Sequence, residues 1–315
     1  MTIKKPRLLL IALAVLLLFP FFSGCAGKNR KIEPQPPAGQ EEVQEKAAAA
    51  PPMLLVSSYS VYPGDYLVLY LENGKETDEI TARTGLGKYT PSFAPYRFGL
   101  VAFLPVHYTT KPGEYNLCVK IIRSGETVLD KQESITVKPK EFPSQYLKVS
   151  AGLEAKRDPG LWEKDAVHIG RARSASAKQP LWDSNFIMPV EGKITTEFGL
   201  IRYINNVESG RHSGLDIAAG RGTPVKAANS GTINLARKLN VTGNTVIIDH
   251  GLKLYSTYCH MDKILVKEGE EVKKGQVIGQ VGSTGFSTGP HLHWNISIGS
   301  TFVNPWLFLD KDPLT

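Results

Sequence analysis

From Phe186 onward, apolar residues fall in short runs, many of period two, separated by glycine and other turn residues. Residues 186–190, 192–195, 232–235, 245–248, 254–258, 276–281 and 291–298 read as strands. The connections leave no room for crossover helices, so the sheets are expected to be antiparallel. The last run is the most informative. In Gly289-Pro290-His291-Leu292-His293-Trp294-Asn295-Ile296, apolar positions alternate with polar ones. Side chains at i and i+2 of a strand share a face, so His291 and His293 point the same way. Upstream, residues 53 to 138 carry another set of β-rich runs, among them Tyr66–Tyr70, Leu100–Leu104 and Tyr115–Ile122. Turn signals at Pro63-Gly64-Asp65, Asn73-Gly74, Lys111-Pro112-Gly113 and Ser124-Gly125 separate them. That texture predicts a small immunoglobulin-like β-sandwich.

The remaining segments have other textures. Residues 139–185 read as a linker holding a short helix, with Asp158 as N-cap, Pro159 at the first helical position and an end near Arg173-Ser174. Residues 25–52 are rich in Pro, Gln, Glu and Ala, cannot bury a core, and read as a disordered spacer. Residues 1–24 join Lys4, Lys5 and Arg7 to an apolar run from Leu8 to Phe22, the pattern of a signal peptide. The ending Phe22-Ser23-Gly24-Cys25 resembles the lipobox of bacterial lipoproteins, with Phe22 where an aliphatic residue is usual. That resemblance implies cleavage before Cys25, a lipid on Cys25, and an exported protein held at a membrane on its periplasmic or extracytoplasmic face.

Composition changes this picture little. The 315 residues fit about two domains. A hydrophobic share of 42% and a charged share of 21% are those of a globular protein. The net charge of +7 comes without a basic block or an aromatic-studded basic face, so nucleic acid is not read as a partner. Cys118 sits in an apolar strand and Cys259 between Tyr258 and His260, where alternation is expected to turn it away from the histidines into the core.

The candidate chemistry lies in the C-terminal half. Two imidazoles on one strand face make half a metal site, or a ligand beside a catalytic base. His212-Ser213-Gly214-Leu215-Asp216 adds a histidine with a carboxylate four positions on, and Tyr258-Cys259-His260 a further imidazole. His212, Asp216 and His293 can supply the N, O and N donors of a catalytic zinc site, which keeps one position open. His260 and His291 then remain beside the attacking water as acid–base groups. No HExxH helix is present, so histidine, not glutamate, has to do the proton transfer. His250, in a turn, is read as structural.

Taken together, Phe198-Gly199, Arg211 to Ile217, Gly222 to Val225, Gly243 to Gly251, Tyr258 to Met261, Gly275 to Gly279 and Gly282 through Trp294 resemble the lysostaphin/LytM-type zinc endopeptidases of bacterial cell walls. The resemblance covers roughly Phe186 to Trp306. It implies a barrel-sandwich-hybrid-like antiparallel metallopeptidase domain over residues 186–309. It also implies Zn2+ held by His212, Asp216 and His293, and His260 and His291 acting on the water and the tetrahedral intermediate. Peptidoglycan peptides are the implied substrate. Some members of that family have lost ligands and only activate amidases; here the motifs are complete, and the alternative of a non-hydrolytic wall-binding lipoprotein is the runner-up. The loop Ile201–Gly210 and the segment Lys238–Thr242 are expected to wall the cleft.

Overall fold

The His291–Ile298 strand sets the frame of the C-terminal half. Leu292, Trp294, Ile296 and Ile298 are fully buried in the core on one face. The alternate residues, His291, His293, Asn295 and Ser297, share the opposite face. The strand pairs antiparallel with Leu215–Ala218 on one side and Leu254–Met261 on the other. The sheet runs on through Asn244–Asp249, Gly231–Lys238 and Glu271–Val272 at one edge and ends at Lys193–Thr196 at the other, with Thr301–Val303 added beside Ile296–Ile298. Its inner face packs on Val225, Ile278 and Val281 from, or next to, a small sheet of Pro224–Lys226, Val277–Gln280 and Lys263–Ile264. Apolar residues close this core because burial gains roughly 25 cal/mol for each Å² of apolar surface removed from water.

The computed structural model describes residues 50–315. The expected signal peptide, Cys25 and nearly all of the spacer therefore lie outside the described residues. Among the described residues no helix is long and apolar enough to cross a membrane. The fold is mainly β and antiparallel, as the sequence implied. Two short pairings depart from that rule: Ser60–Val61 runs parallel to Glu126–Val137, and Ile201–Ile204 runs parallel to Ser144–Leu147.

Residues 53–137 form two four-stranded sheets packed face to face around Leu67, Leu69, Leu71, Leu117, Val119, Ile121 and Ile135. The Gly99–Pro105 strand is buried on both sides. Leu100 and Leu104 belong to the sandwich core, whereas Val101 and Phe103 join the C-terminal core beside Trp182 and Phe186. This explains its continuous apolar run, which a half-exposed strand would not need. The described residues accordingly form one compact unit.

The helix Pro159–Ala172 lies over the outer face of the C-terminal sheet. Asp158 Oδ1 accepts the Gly160 N–H at 2.9 Å and so caps its first turn. Ile169 and Ala172 pack on Leu235, Leu239, Ile247 and Tyr255. The helix carries a fully buried acid, Asp165. Its Oδ1 accepts from the Asn240 backbone and side-chain amides at 2.9 and 2.8 Å, and its Oδ2 from the Val241 N–H at 2.7 Å. Asp165→Ala strips the acceptor from three donors, each worth about 1–3 kcal/mol when left buried and unpaired. We expect this substitution to lower unfolding stability by roughly 3 kcal/mol in urea titrations; an unchanged midpoint would show that the helix adds nothing to the fold.

Candidate active site

Strand register brings the sequence-predicted residues together. Asp216 stands directly opposite His293, and Ala218 opposite His291. His212 reaches the same point from the end of the Ile201–Ile204/Val207–Arg211 hairpin, where its N–H is held by the Leu200 carbonyl at 2.9 Å. Gly214 permits the close approach: a Cβ there would fall on the Trp294 carbonyl oxygen. His212 Nε2 lies 2.9 Å from Asp216 Oδ1 and 3.0 Å from His293 Nδ1, and His293 Nδ1 lies 2.8 Å from Asp216 Oδ1.

The surrounding bonds say what these atoms carry. His212 Nδ1 is 2.9 Å from the Glu197 carbonyl, which can only accept, so Nδ1 holds the proton and Nε2 of the neutral ring is a lone pair. His293 Nε2 faces Ser213 Oγ at 3.3 Å and the Asn295 amide at 3.2 Å. With its proton there, Nδ1 is also a lone pair. Two nitrogen lone pairs and a carboxylate oxygen thus converge within hydrogen-bonding distance of one another. Such a set of acceptors is repulsive on its own and fits a divalent cation; N, N and O donors suit zinc. These three residues are the metal-competent group among the described residues.

Electrostatics keep the set ready. Burial alone would raise the Asp216 carboxyl; a proton entering the cluster goes to His212 or His293 first, and the imidazolium so formed holds the carboxyl well below the usual carboxylate range. Burial pushes His293 down to about 4, so it is neutral at pH 7. Asp216 Oδ2 meets Arg202 Nη2 at 3.4 Å, and Arg202 Nε donates to Gln145 Oε1 at 3.0 Å. Neither Arg202 nor Gln145 is marked by a motif in the sequence.

His291 and His260 flank the cluster. His291 Nδ1 donates to the Gly289 carbonyl at 2.8 Å, leaving Nε2 as a lone pair 3.8 Å from Asp216 Oδ1. His260 Nδ1 donates to the Thr284 carbonyl at 2.8 Å, and its ring lies 4.9 Å from that of His291 and 6.2 Å from that of His293. Burial, with the neighbouring His291 and His293, pushes His260 down to about 3. Its φ of 62° is left-handed, a conformation costing on the order of 1–3 kcal/mol outside glycine.

This backbone geometry corrects the expectation for Cys259. The register between Asn244–Asp249 and Leu254–Met261 shifts there, with Asn244 opposite Met261 but Val246 opposite Tyr258. The extra residue is a bulge, which breaks alternation. Cys259 therefore stands opposite His293, on the cleft side, and His260 also turns into the cleft. Cys259 is still buried, and burial pushes its thiol up to about 12, so it is not a thiolate. Cys118 and Cys259 are both free.

All five candidates line one cleft of about 520 Å³. Arg202, Ile204 and Ser209 of the Ile201–Gly210 stretch, a hairpin and not a loop, line it with Val241 and Thr242. So do Gln145, Arg157, Trp162 and Arg173, from the segment read as a linker. His250 is elsewhere. It is fully buried, with Nδ1 on the Ser230 carbonyl and Nε2 on Ser256 Oγ, both at 2.7 Å.

Comparison with known proteins shows what this fold and cleft are similar to. Residues 210–305 match the model of Peptidase family M23. Over 93 residues the chain is 43% identical to the peptidoglycan DD-endopeptidase ShyA of Vibrio cholerae serotype O1, covering 30% of this chain and 22% of that protein. Over 94 residues it is 45% identical to the DD-carboxypeptidase/endopeptidase Mpg of Neisseria meningitidis serogroup B, again 30% and 22%. The chain thus spans about a fifth of the length of these curated relatives. A crystal structure of a putative peptidase M23 from Pseudomonas aeruginosa is similar over 79% of this chain and 94% of its own, at 27% identity and a TM-score of 0.55. Residues 210–305 thus carry the sequence pattern of peptidase family M23.

His250 provides a pH test outside the cluster. Burial lowers its folded-state pKa from 6.5 to about 4. As pH falls below the unfolded value, the unfolded chain binds this proton and the folded chain does not, so stability is complete above about pH 6.5 and falls towards pH 4. Replacing His250 by Asn should make the plot of unfolding free energy against pH between 6.5 and 4 shallower by about one proton. Parallel plots for the two proteins would refute the assignment.

Proposed function

We propose that this protein is a zinc-dependent endopeptidase that hydrolyses peptide bonds in peptidoglycan. The observation that carries the proposal is the convergence of three lone pairs, on His212, Asp216 and His293, at one point of an open cleft. A zinc ion bound there supplies Lewis acidity and a water acidified to a pKa of about 7. The chain's own part is positioning and proton transfer. Asp216 and Arg202 keep the site anionic on one oxygen and ordered on the other. His291, locked by the Gly289 carbonyl, offers Nε2 to take the proton of the attacking water and return it to the leaving amine. His260, locked by the Thr284 carbonyl, offers a second Nε2 to orient that water. A non-hydrolytic activator of an amidase has no use for this constellation.

Likeness to the DD-endopeptidase of Vibrio cholerae supports a cross-link between D-alanine and a diamino acid as the scissile bond. The lipobox-like ending at Cys25 supports a lipid anchor that leaves the domain exported and facing the wall.

The full chain incubated with purified peptidoglycan should release peptide fragments, identifiable by mass spectrometry, and a chelator should stop the release. His291→Ala should lower turnover by about 10²-fold or more with the metal retained, whereas His212→Ala should lose the metal. Absence of chelator-sensitive release would sink the enzyme reading; full metal content in His212→Ala would sink the ligand assignment. Independently, Cys25→Ser should move the expressed protein from the membrane to the soluble fraction, and a membrane-bound variant would refute the anchor.

A further inference from the structure

Four arginines, Arg157, Arg173, Arg202 and Arg211, line the cleft, against the single carboxylate of Asp216. Three of them are engaged, Arg157 over the Phe286 ring at 5.7 Å. Arg202 is spent on Asp216 and Gln145. Arg211 reaches the Gly199 carbonyl at 3.3 Å and stacks on Phe142. Arg173 is different. It closes the C-terminal end of the Pro159–Ala172 helix and sends its side chain onto the polar face of the sheet. Nη2 donates to Thr257 Oγ1 at 2.9 Å, and the guanidinium lies over the Phe302 ring at 5.0 Å. Its Nε is buried with no hydrogen-bond partner, and no acid among the described residues forms an ion pair with it. Burial brings it down only to about 10, so it is charged at neutral pH. A desolvated guanidinium without an anion is costly, and removing it from water is offset when a carboxylate takes the bidentate place.

A second orphan stands beside it. Asn295 is the cross-strand partner of Thr257, and its Oδ1 is buried without a partner. The oxygen and nitrogen of an amide are assigned from their neighbours. With a proton on His293 Nε2, the amide oxygen belongs on that side, and the Nδ2 donor then occupies the orphan position. Arg173 Nε–H and Asn295 Nδ2–H are thereby two unpaired donors just beneath the floor of one cleft, both sealed from water, while the rest of the half-buried Arg173 side chain lines the cleft itself. Thr257 and Asn295 lie two residues along their strands from Cys259 and His293, about 7 Å between Cα atoms, and the Asn295 amide itself reaches to 3.2 Å from His293 Nε2. The subsite thus begins about one residue of extended chain, roughly 3.5 Å, from the metal ligands.

We infer that Arg173, with Asn295, forms a carboxylate-binding subsite of the cleft, so that the preferred peptide carries an anionic group about one residue from the scissile bond. The inference rests on the reading of the cleft as a peptide site, and it deepens that reading by naming the charge the substrate must carry. Sequence similarity to the M23 model begins at residue 210, so Arg173 is contributed by a part of the chain outside the matched segment.

The test uses the metal-depleted full chain, in which binding is read without turnover. N-acetyl-D-alanyl-D-alanine and its C-terminal amide are titrated in parallel and followed by NMR. The acid should bind about tenfold more tightly than the amide, the scale of one charge-assisted bidentate contact. Arg173→Met, which keeps an apolar stem against Phe302, should abolish that preference. If the Met variant does not fold by circular dichroism, Arg173→Lys keeps stem and charge but loses the planar fork, and should lose most of the preference. Equal binding of acid and amide by the wild-type chain overturns the subsite, as does a full preference in whichever variant folds. Because no turnover is measured, failure of wall hydrolysis and failure of this subsite are separate results.

Discussion

The pairing of Asp216 with His293 across two antiparallel strands is the constraint from which the cleft follows. It puts a carboxylate oxygen 2.8 Å from an imidazole nitrogen, and the His212 ring closes the triangle. Acceptors do not gather in this way of their own accord. They are held by bonds that fix the opposite side of each ring: the Glu197 carbonyl for His212, Ser213 and Asn295 for His293. The sheet supplies the stiffness, and the tightly packed Leu292, Trp294, Ile296 and Ile298 beneath it keep the register from slipping.

The same alternation creates a problem that the rest of the chain answers. A strand whose every other residue is polar leaves His291, His293, Asn295 and Ser297 on one face, yet Asn295 and Ser297 are buried. The Pro159–Ala172 helix and the residues that follow it cover this face, with Ile169 and Ala172 supplying the apolar contact. Asp165 ties the helix to Asn240 and Val241, and Thr242 in turn accepts the His260 N–H at 2.9 Å. Gln145 does the equivalent at the other end, ordering Arg202 behind Asp216. The cleft is thus built by the C-terminal sheet together with the segment that precedes it, and the likeness to the Pseudomonas aeruginosa structure likewise extends well beyond the matched peptidase segment.

Local pattern was a good guide where it acts over two to four residues. The shared face of His291 and His293 follows from strand geometry alone, and the spacing of His212 and Asp216 marks them as a pair. It failed at Cys259, because one inserted residue at His260, held in a left-handed conformation, resets the side of the sheet on which the next side chain emerges. It was silent on Gln145, Arg157, Trp162 and Arg173, whose contacts with the cleft bridge tens of residues or more.

By itself the sequence marked most of the strands, the helix at Pro159 and the side chains that could carry the chemistry, since periodicity, turn residues and side-chain type are written residue by residue. The tertiary structure alone decided which of them meet. The parallel pairing of Ser144–Leu147 with Ile201–Ile204, the burial of a polar sheet face beneath a helix, and the unpaired guanidinium of Arg173 all arise from contacts between distant segments, and a linear pattern carries no signal for a contact that only chain folding creates.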